Sequence, residues 1–314
     1  SEKSIPEGLN HNFKVCIIGR KSKIGRSRKI FLENIKIFGN LISYLIFVKS
    51  TLKNKKNKHL ILSITPYTFF SFLIISFFGL KPFLYLRSDG YEEYRSIFGK
   101  IGIIIFHMMF VLMTKNSNLI GCSEKVLRGK KGKIVYPSEI DDKWIKSTNN
   151  KEISGVKLLY VGRVKVEKGT YSLIKIFKKS NIQMNLTIIG SETQKIKNLI
   201  PKNIKVLDIE TDQKKLIEIY DSHNIFVLPS YTEGHPQVLD EALARQIPVI
   251  IFEDIKHVVG NRKGIFISQR NEKNFLEKID YILKNYKSIK EEIKKNNLPT
   301  KKVFLEELYK IIVK

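Results

Sequence analysis

Residues Pro229–Pro248 read P-S-Y-T-E-G-H-P-Q-V-L-D-E-A-L-A-R-Q-I-P. Apolar Ile225, Phe226, Val227 and Leu228 precede this stretch, and apolar Val249, Ile250, Ile251 and Phe252 follow it. Short apolar runs between turn signals read as buried parallel strands. Pro236 suits a first helical position, and Val238, Leu239, Ala242 and Leu243 give the following helix one apolar face. The unit is strand, polar loop, helix, strand. In such sheets ligands bind where strand C-termini meet helix N-termini.

The polar residues of the turn have a consistent chemistry. Glu233 lies in the loop and Glu241 in the helix. Gly234 permits close backbone approach, and unpaired N–H groups at a helix start favour an anion. Two carboxylates flanking an anion site suit a ligand with hydroxyls on both sides of a phosphate, such as a nucleotide sugar. Taken alone, the two acids fit a solvated loop and helix surface equally well.

A second stretch, Leu158–Gly169, reads L-L-Y-V-G-R-V-K-V-E-K-G. Val156–Val161 reads as a buried strand that Gly162 ends. Arg163 and Lys168 then fall in the loop before a helix. Arg presents a planar fork to phosphate oxygens and Lys a compact charge. Gly190-Ser191-Glu192 forms a further turn beyond an apolar run at 184–189.

These pieces resemble the family 4 retaining glycosyltransferases of the GT-B fold. The resemblance rests on G-R-x4-K-G at Gly162–Gly169, E-G-H-P at Glu233–Pro236, the spacing of Glu233 and Glu241, and E-A-L-A-R-Q-I-P-V-I after it. It is clear from about Val156 onward. Gln246 stands where the family usually has Gly. The resemblance implies an α/β protein of two Rossmann-like, doubly wound domains facing a cleft. Residues 1–145, rejoined by a C-terminal helix at 296–314, would bind the acceptor, and residues 146–295 would bind the donor.

The same resemblance assigns roles. Glu241 would hold the ribose and Glu233 the donor sugar. Arg163 and Lys168 would neutralise the departing diphosphate in place of a metal. Gly162, Gly190, Gly234, His235 and Pro236 would complete the donor site. No cofactor is expected beyond the nucleotide sugar as co-substrate. The acceptor would be a saccharide or a lipid-linked saccharide of a surface polysaccharide or lipopolysaccharide.

The first half is less explicit. Phe13–Gly19 reads as a first strand, followed by a basic loop carrying Gly19 and Gly25. Leu60–Leu80 has no charge, yet Thr65-Pro66 and Gly79 divide it into a strand and a helix rather than a membrane span. Asp89 follows Lys81–Arg87, which reads as the next strand, and is a candidate to orient an acceptor hydroxyl, with Glu92 and Glu93 behind it. Ile101–Met113 is apolar apart from His107 and is too short to span. A core helix is expected there, with a membrane-surface position as the alternative.

The 314 residues carry 56 Lys+Arg against 30 Asp+Glu, a net charge of +26. Residues 1–150 hold 26 basic and 10 acidic side chains. Such a field favours phosphorylated substrates, anionic lipid or nucleic acid. No RNA-binding aromatic motif accompanies it, so nucleic acid is not expected. Peripheral contact with an anionic membrane is. Cys16 and Cys122 read as buried reduced thiols, and no metal-type spacing occurs. The first residues lack the pattern of a signal peptide, which implies a cytoplasmic protein, and the expected peripheral contact would be with the inner face of the membrane. The competing readings are a nucleotide-sugar epimerase of the same fold and a non-catalytic basic scaffold.

Overall fold

The computed structural model describes residues 4–9, 30–54, 56–145, 155–179 and 184–313. The chain divides into two compact units, residues 1–136 with 304–314 and residues 137–303. The expected first strand and the Gly19–Gly25 loop lie outside the described residues. So does most of the expected linker. The division falls before the 145–146 boundary read from the sequence. The reason is packing: Ile140 and Trp144 belong to the hydrophobic core of the second unit.

In the first unit β1 (Leu60–Leu62), β2 (Phe83–Leu86), β3 (Asn118–Gly121) and β4 (Lys133–Ile134) form a parallel sheet in that order. The uncharged stretch after residue 59 is β1 and a helix, Pro66–Phe77. Thr65 caps that helix through a capping box, and Pro66 opens it. The helix Gly90–Lys115 starts well before the run at 101–113 and is kinked at Gly99, whose φ is 63°. Phe106, Met109, Phe110 and Met113 are its buried residues in the core of this unit. Its other face is exposed along its length, so the expectation of a helix buried all round is corrected. Cys122 is a buried free thiol bonded to the Arg87 carbonyl.

In the second unit β5 (Val156–Val161), β6 (Met184–Gly190), β7 (Ile204–Asp208), β8 (Ile225–Leu228), β9 (Val249–Phe252) and β10 (Ile265–Ser268) form one parallel sheet. Its order is β10-β9-β8-β5-β6-β7. The chain winds outward from β5 in one direction, then returns to β8 and winds outward in the other. The switch point therefore lies between β5 and β8, which pair through Leu158↔Ile225 and Leu159↔Phe226. A crevice outside the carboxyl ends of these two strands is where a doubly wound sheet binds ligands.

Residues 193–199 form two short 3₁₀ turns, Thr193–Lys195 and Lys197–Leu199. The C-terminal helix expected at 296–314 runs from Lys301 to Val313, and Pro299, which cannot continue a helix ladder, separates it from the helix Tyr286–Lys294. The carbonyl of Pro299 accepts from Ser138 Oγ at 2.6 Å, and Lys301 N–H donates to Ile140 O at 2.7 Å. These bonds tie together the two segments through which the chain enters and leaves the second unit. Beyond them Phe304, Leu308 and Ile312 join the core of the first unit.

Candidate functional site

The loops after β5, β6 and β8 meet closely enough to require glycine. A Cβ on Gly169 (φ 67°) would lie 1.8 Å from the Pro229 carbonyl oxygen, and one on Gly190 would lie 1.8 Å from the Gly162 carbonyl oxygen. Gly162 N–H donates to Ile189 O, Val164 N–H to Ser191 O, and Tyr231 N–H to Glu167 O. The Tyr160 hydroxyl, held protonated by burial, donates to the Arg163 carbonyl at 2.9 Å.

This frame brings Lys168 to Glu233. The Lys168 ammonium donates to Glu233 Oε1 at 2.7 Å, and Ser230 Oγ donates to the same oxygen at 2.7 Å. Oε2 has no hydrogen-bond partner among the described residues. Arg163 is exposed and has no ion-pair partner among the described residues. His257 Nε2 bonds the Glu233 carbonyl at 2.9 Å, fixing the turn from the far side.

The helix that follows is Gln237–Ala244, so Pro236 occupies the N-cap position, one residue before that expected. It supplies no side-chain cap. Two buried polar atoms beside this helix start, Thr232 Oγ1 and Gln237 Nε2, have no hydrogen-bond partner among the described residues. Each such atom costs about 1–3 kcal/mol when left unmet. Buried groups of this kind are met in the working protein by water, an ion or a ligand.

His235 is 3% exposed at its side chain. Its Nε2 lies 2.7 Å from Asp240 Oδ2, and Nδ1 lies 3.2 Å from Arg262 Nη2. Arginine can only donate, so Nδ1 accepts and Nε2–H donates. The imidazole therefore holds the turn to its helix. Arg262 Nε also contacts Asp240 Oδ1 at 3.1 Å.

Glu241 stands on the same helix, apart from the Lys168–Glu233 pair. Tyr220 OH donates to its Oε2 at 3.0 Å. Burial raises the Glu241 carboxyl, the Tyr220 hydrogen bond lowers it, and the Asp240 and Glu139 charges raise it further; it is pushed up to about 7. Tyr220 packs edge-to-face on Trp144, with ring centroids 5.3 Å apart. Trp144 is the single tryptophan of the chain.

Asp89 belongs to the first unit. It caps the helix Gly90–Lys115 by accepting from Tyr91 N–H at 3.2 Å, and both its oxygens lie 3.0 Å from Arg128 Nη2. Its side chain is 3% exposed. These bonds engage the carboxylate within its own unit. Among the described residues no three His, Cys, Asp or Glu side chains are grouped to hold a metal ion.

The sequence reading missed Arg270. This side chain lies over the rings of Tyr231 and Phe252, 3.9 and 4.5 Å from their centroids. It donates to Pro229 O at 2.8 Å and Ser230 O at 3.3 Å, and pairs with Asp254 at 2.6 Å. Its place just beyond β10, at the ligand edge of the sheet, was its only signal.

Two parallel α/β units, one with phosphate-type cations at its switch point, define a protein of the GT-B class. The chain belongs to the glycosyl transferases group 1 family, which matches residues 141–298, half of its length. It is 30% identical over 173 residues to the capsular polysaccharide biosynthesis glycosyltransferase CapM of Staphylococcus aureus. That segment is 51% of this chain and 43% of CapM, so less than half of the relative is matched. Among solved structures it resembles sucrose-phosphate synthase from Thermosynechococcus elongatus (TM-score 0.70, 19% identity, 94% of this chain and 80% of that one). It also resembles Anabaena HepE in complex with UDP and glucose (TM-score 0.65, 12% identity, 86% and 81% covered). At these identities the structural likeness is one of fold.

Proposed function

We propose that this chain transfers a sugar, with retention of anomeric configuration, from a nucleotide-sugar donor to a saccharide or lipid-linked saccharide acceptor in surface polysaccharide synthesis. The observation that carries the reading is the meeting of Lys168 and Glu233 beyond β5 and β8, with Arg163 open beside the same loop. Glycosyl transfer builds negative charge on the leaving diphosphate. Cations and helix N–H groups held ready for that charge stabilise the transition state more than the ground state. In this reading Arg163 and Lys168 receive the diphosphate without a metal ion. Glu233 Oε2 accepts from a donor hydroxyl, and Glu241 Oε1 accepts from the ribose. Thr232 and Gln237 gain the partners they lack. The acceptor class is supported by the relation to CapM.

A melting-temperature screen of UDP, GDP, ADP and their common sugar conjugates tests the donor site. A ligand at 100 times its dissociation constant adds about 2.7 kcal/mol. The expected result is a shift with one nucleotide family that Glu241→Ala removes. No shift with any of them would overturn the reading.

A further inference from the structure

The first unit carries an apolar surface that the transferase reading leaves unused. On the helix Gly90–Lys115, Ile101, Ile104, Ile105, Met108 and Leu112 recur at helical spacing, and all are exposed, Ile104 by 69%. Phe77 ends the neighbouring helix Pro66–Phe77 and is 87% exposed. The two helix ends are joined by Asn116 Nδ2 donating to Ser76 Oγ at 3.4 Å, which makes the two apolar groups neighbours. From Ile101 to Thr114 the helix has no charged residue. The stretch Ile97–Lys115 is long and apolar enough to cross a membrane. Yet Phe106, Met109, Phe110 and Met113 on its other side are packed in the core of the unit, so it is held along the protein surface.

The charges around this face choose its partner. Beyond the kink at Gly99, Lys100 and Lys115 flank the stripe, and Lys81 follows Phe77. All three are exposed and have no ion-pair partner among the described residues. The acids of the helix, Glu92 and Glu93, lie in its first turn, before the kink at Gly99. Two copies of the chain meeting symmetrically through this face would set cation against cation. A protein partner would find few polar groups to fix its register, where specific interfaces carry many hydrogen bonds. A bilayer needs none. Apolar stripes edged by Lys and Arg lie at the boundary of headgroups and acyl chains.

We propose that this face docks on an anionic lipid bilayer, with the helix in the interface plane, its aliphatic stripe among the acyl chains and its cations on the headgroups. The proposal stands independently of the donor site, which belongs to the other unit.

The test is flotation of the full chain with phosphatidylcholine vesicles, with and without phosphatidylglycerol, and sedimentation velocity without lipid. The expected result is strong binding to the phosphatidylglycerol vesicles and weak binding to the neutral ones. Lys100→Gln and Lys115→Gln should each weaken binding about fivefold. Ile104→Asp should weaken it about tenfold or more. The two lysine changes touch exposed positions, so they carry the test even if Ile104→Asp fails to fold. Circular dichroism melts confirm the fold of each variant. No flotation with anionic vesicles at low salt would overturn the proposal. So would a dimer that Ile104→Asp dissolves in a protein that ignores vesicles. Nucleotide binding is measured apart from lipid, so failure of the donor reading leaves these outcomes unchanged.

Discussion

Lys168 and Glu233 meet at 2.7 Å across the switch point of the second sheet, one from the loop after β5 and one from the loop after β8. The pair is part-exposed, with side-chain exposures of 22% and 12%. Its value to stability is accordingly small, on the order of 1 kcal/mol. In the proposed transfer its value to a diphosphate leaving group is larger. Lys168→Met should lower the transfer rate about 10²–10³-fold, as losing one preorganised donor does. The unfolding midpoint should move little. Measuring nucleotide release alongside urea unfolding separates the two effects. A stability loss that matches the rate loss would make the pair structural.

Glu241 gives a pH signature. Its folded-state value of about 7 stands above the ordinary 4.5. The folded state thus prefers the neutral acid, and this contribution is whole below about 4.5 and fades as pH rises through 7. Part of the side chain reaches water, so we expect about 1–2 kcal/mol rather than the roughly 3 kcal/mol of a dry group. Glu241→Gln should therefore be more stable than wild type at pH 8 and equal to it at pH 4. A ribose hydroxyl needs the carboxylate as acceptor, so nucleotide affinity should rise with pH across the same window. Trp144 fluorescence, relayed through Tyr220, can report both. An affinity independent of pH from 6 to 8 would remove Glu241 from the ribose.

The sequence made the second unit legible because its central strands β5, β6, β8 and β9 are short apolar runs, with glycines ending β5 and β6. β8 and β9 coincide with the runs at 225–228 and 249–252. That Arg163, Lys168 and Glu233 all lie in loops after parallel strands could be read from the sequence, whereas the Lys168–Glu233 contact could not. What could not be read was satisfaction. The spacing of His235 and Asp240 does not say that they bond each other, nor does Asp89 announce Arg128, 39 residues away. The kinked helix after β2 misled for a related reason. A uniformly apolar stretch carries no period, so its composition cannot tell a buried face from an exposed one.

Gln246 tests the departure from the family at the helix C-terminus. It adopts φ 57°, in the left-handed region that glycine enters without cost. Gln246→Gly should stabilise the chain by about 0.5–1 kcal/mol, the strain relieved exceeding the added freedom of the unfolded chain. Guanidinium unfolding reads the change directly. A destabilised variant would mean that the glutamine side chain contributes more than its backbone costs.

Gly169 should tolerate no side chain. Alanine there combines a left-handed backbone with a Cβ 1.8 Å from the Pro229 carbonyl. We expect a loss of at least about 2 kcal/mol, with the Lys168 loop pushed from the Glu233 turn. Gly260 is the control. Its φ is 53°, but a Cβ there meets nothing within 4 Å. Gly260→Ala should cost about 1 kcal/mol and leave nucleotide affinity unchanged. Equal effects at the two sites, in denaturant melts and in calorimetric titration with the nucleotide, would show that backbone strain alone matters and that the close approach of the loops does not.

Arg270 holds the Glu233 turn without reaching into it. Its guanidinium spans Tyr231, Phe252, Asp254 and the carbonyls of Pro229 and Ser230. Ser230 in turn donates to Glu233. A lysine can keep the charge near Asp254 but cannot serve two carbonyls and two ring faces with one planar fork. Arg270→Lys should therefore leave the fold intact, at a cost of about 1–2 kcal/mol, and still lower the transfer rate about tenfold, because a carboxylate displaced by even 1 Å loses its alignment. Arg270→Met removes the charge as well. It should cost more stability, since the Asp254 partner is lost, while the rate falls no further than the disordered turn allows. The informative quantity is the split between kcat and KM in the lysine variant. A fall in kcat with KM unchanged assigns Arg270 to positioning of the turn. A rise in KM alone would mean that the turn binds donor but does not act in the transition state.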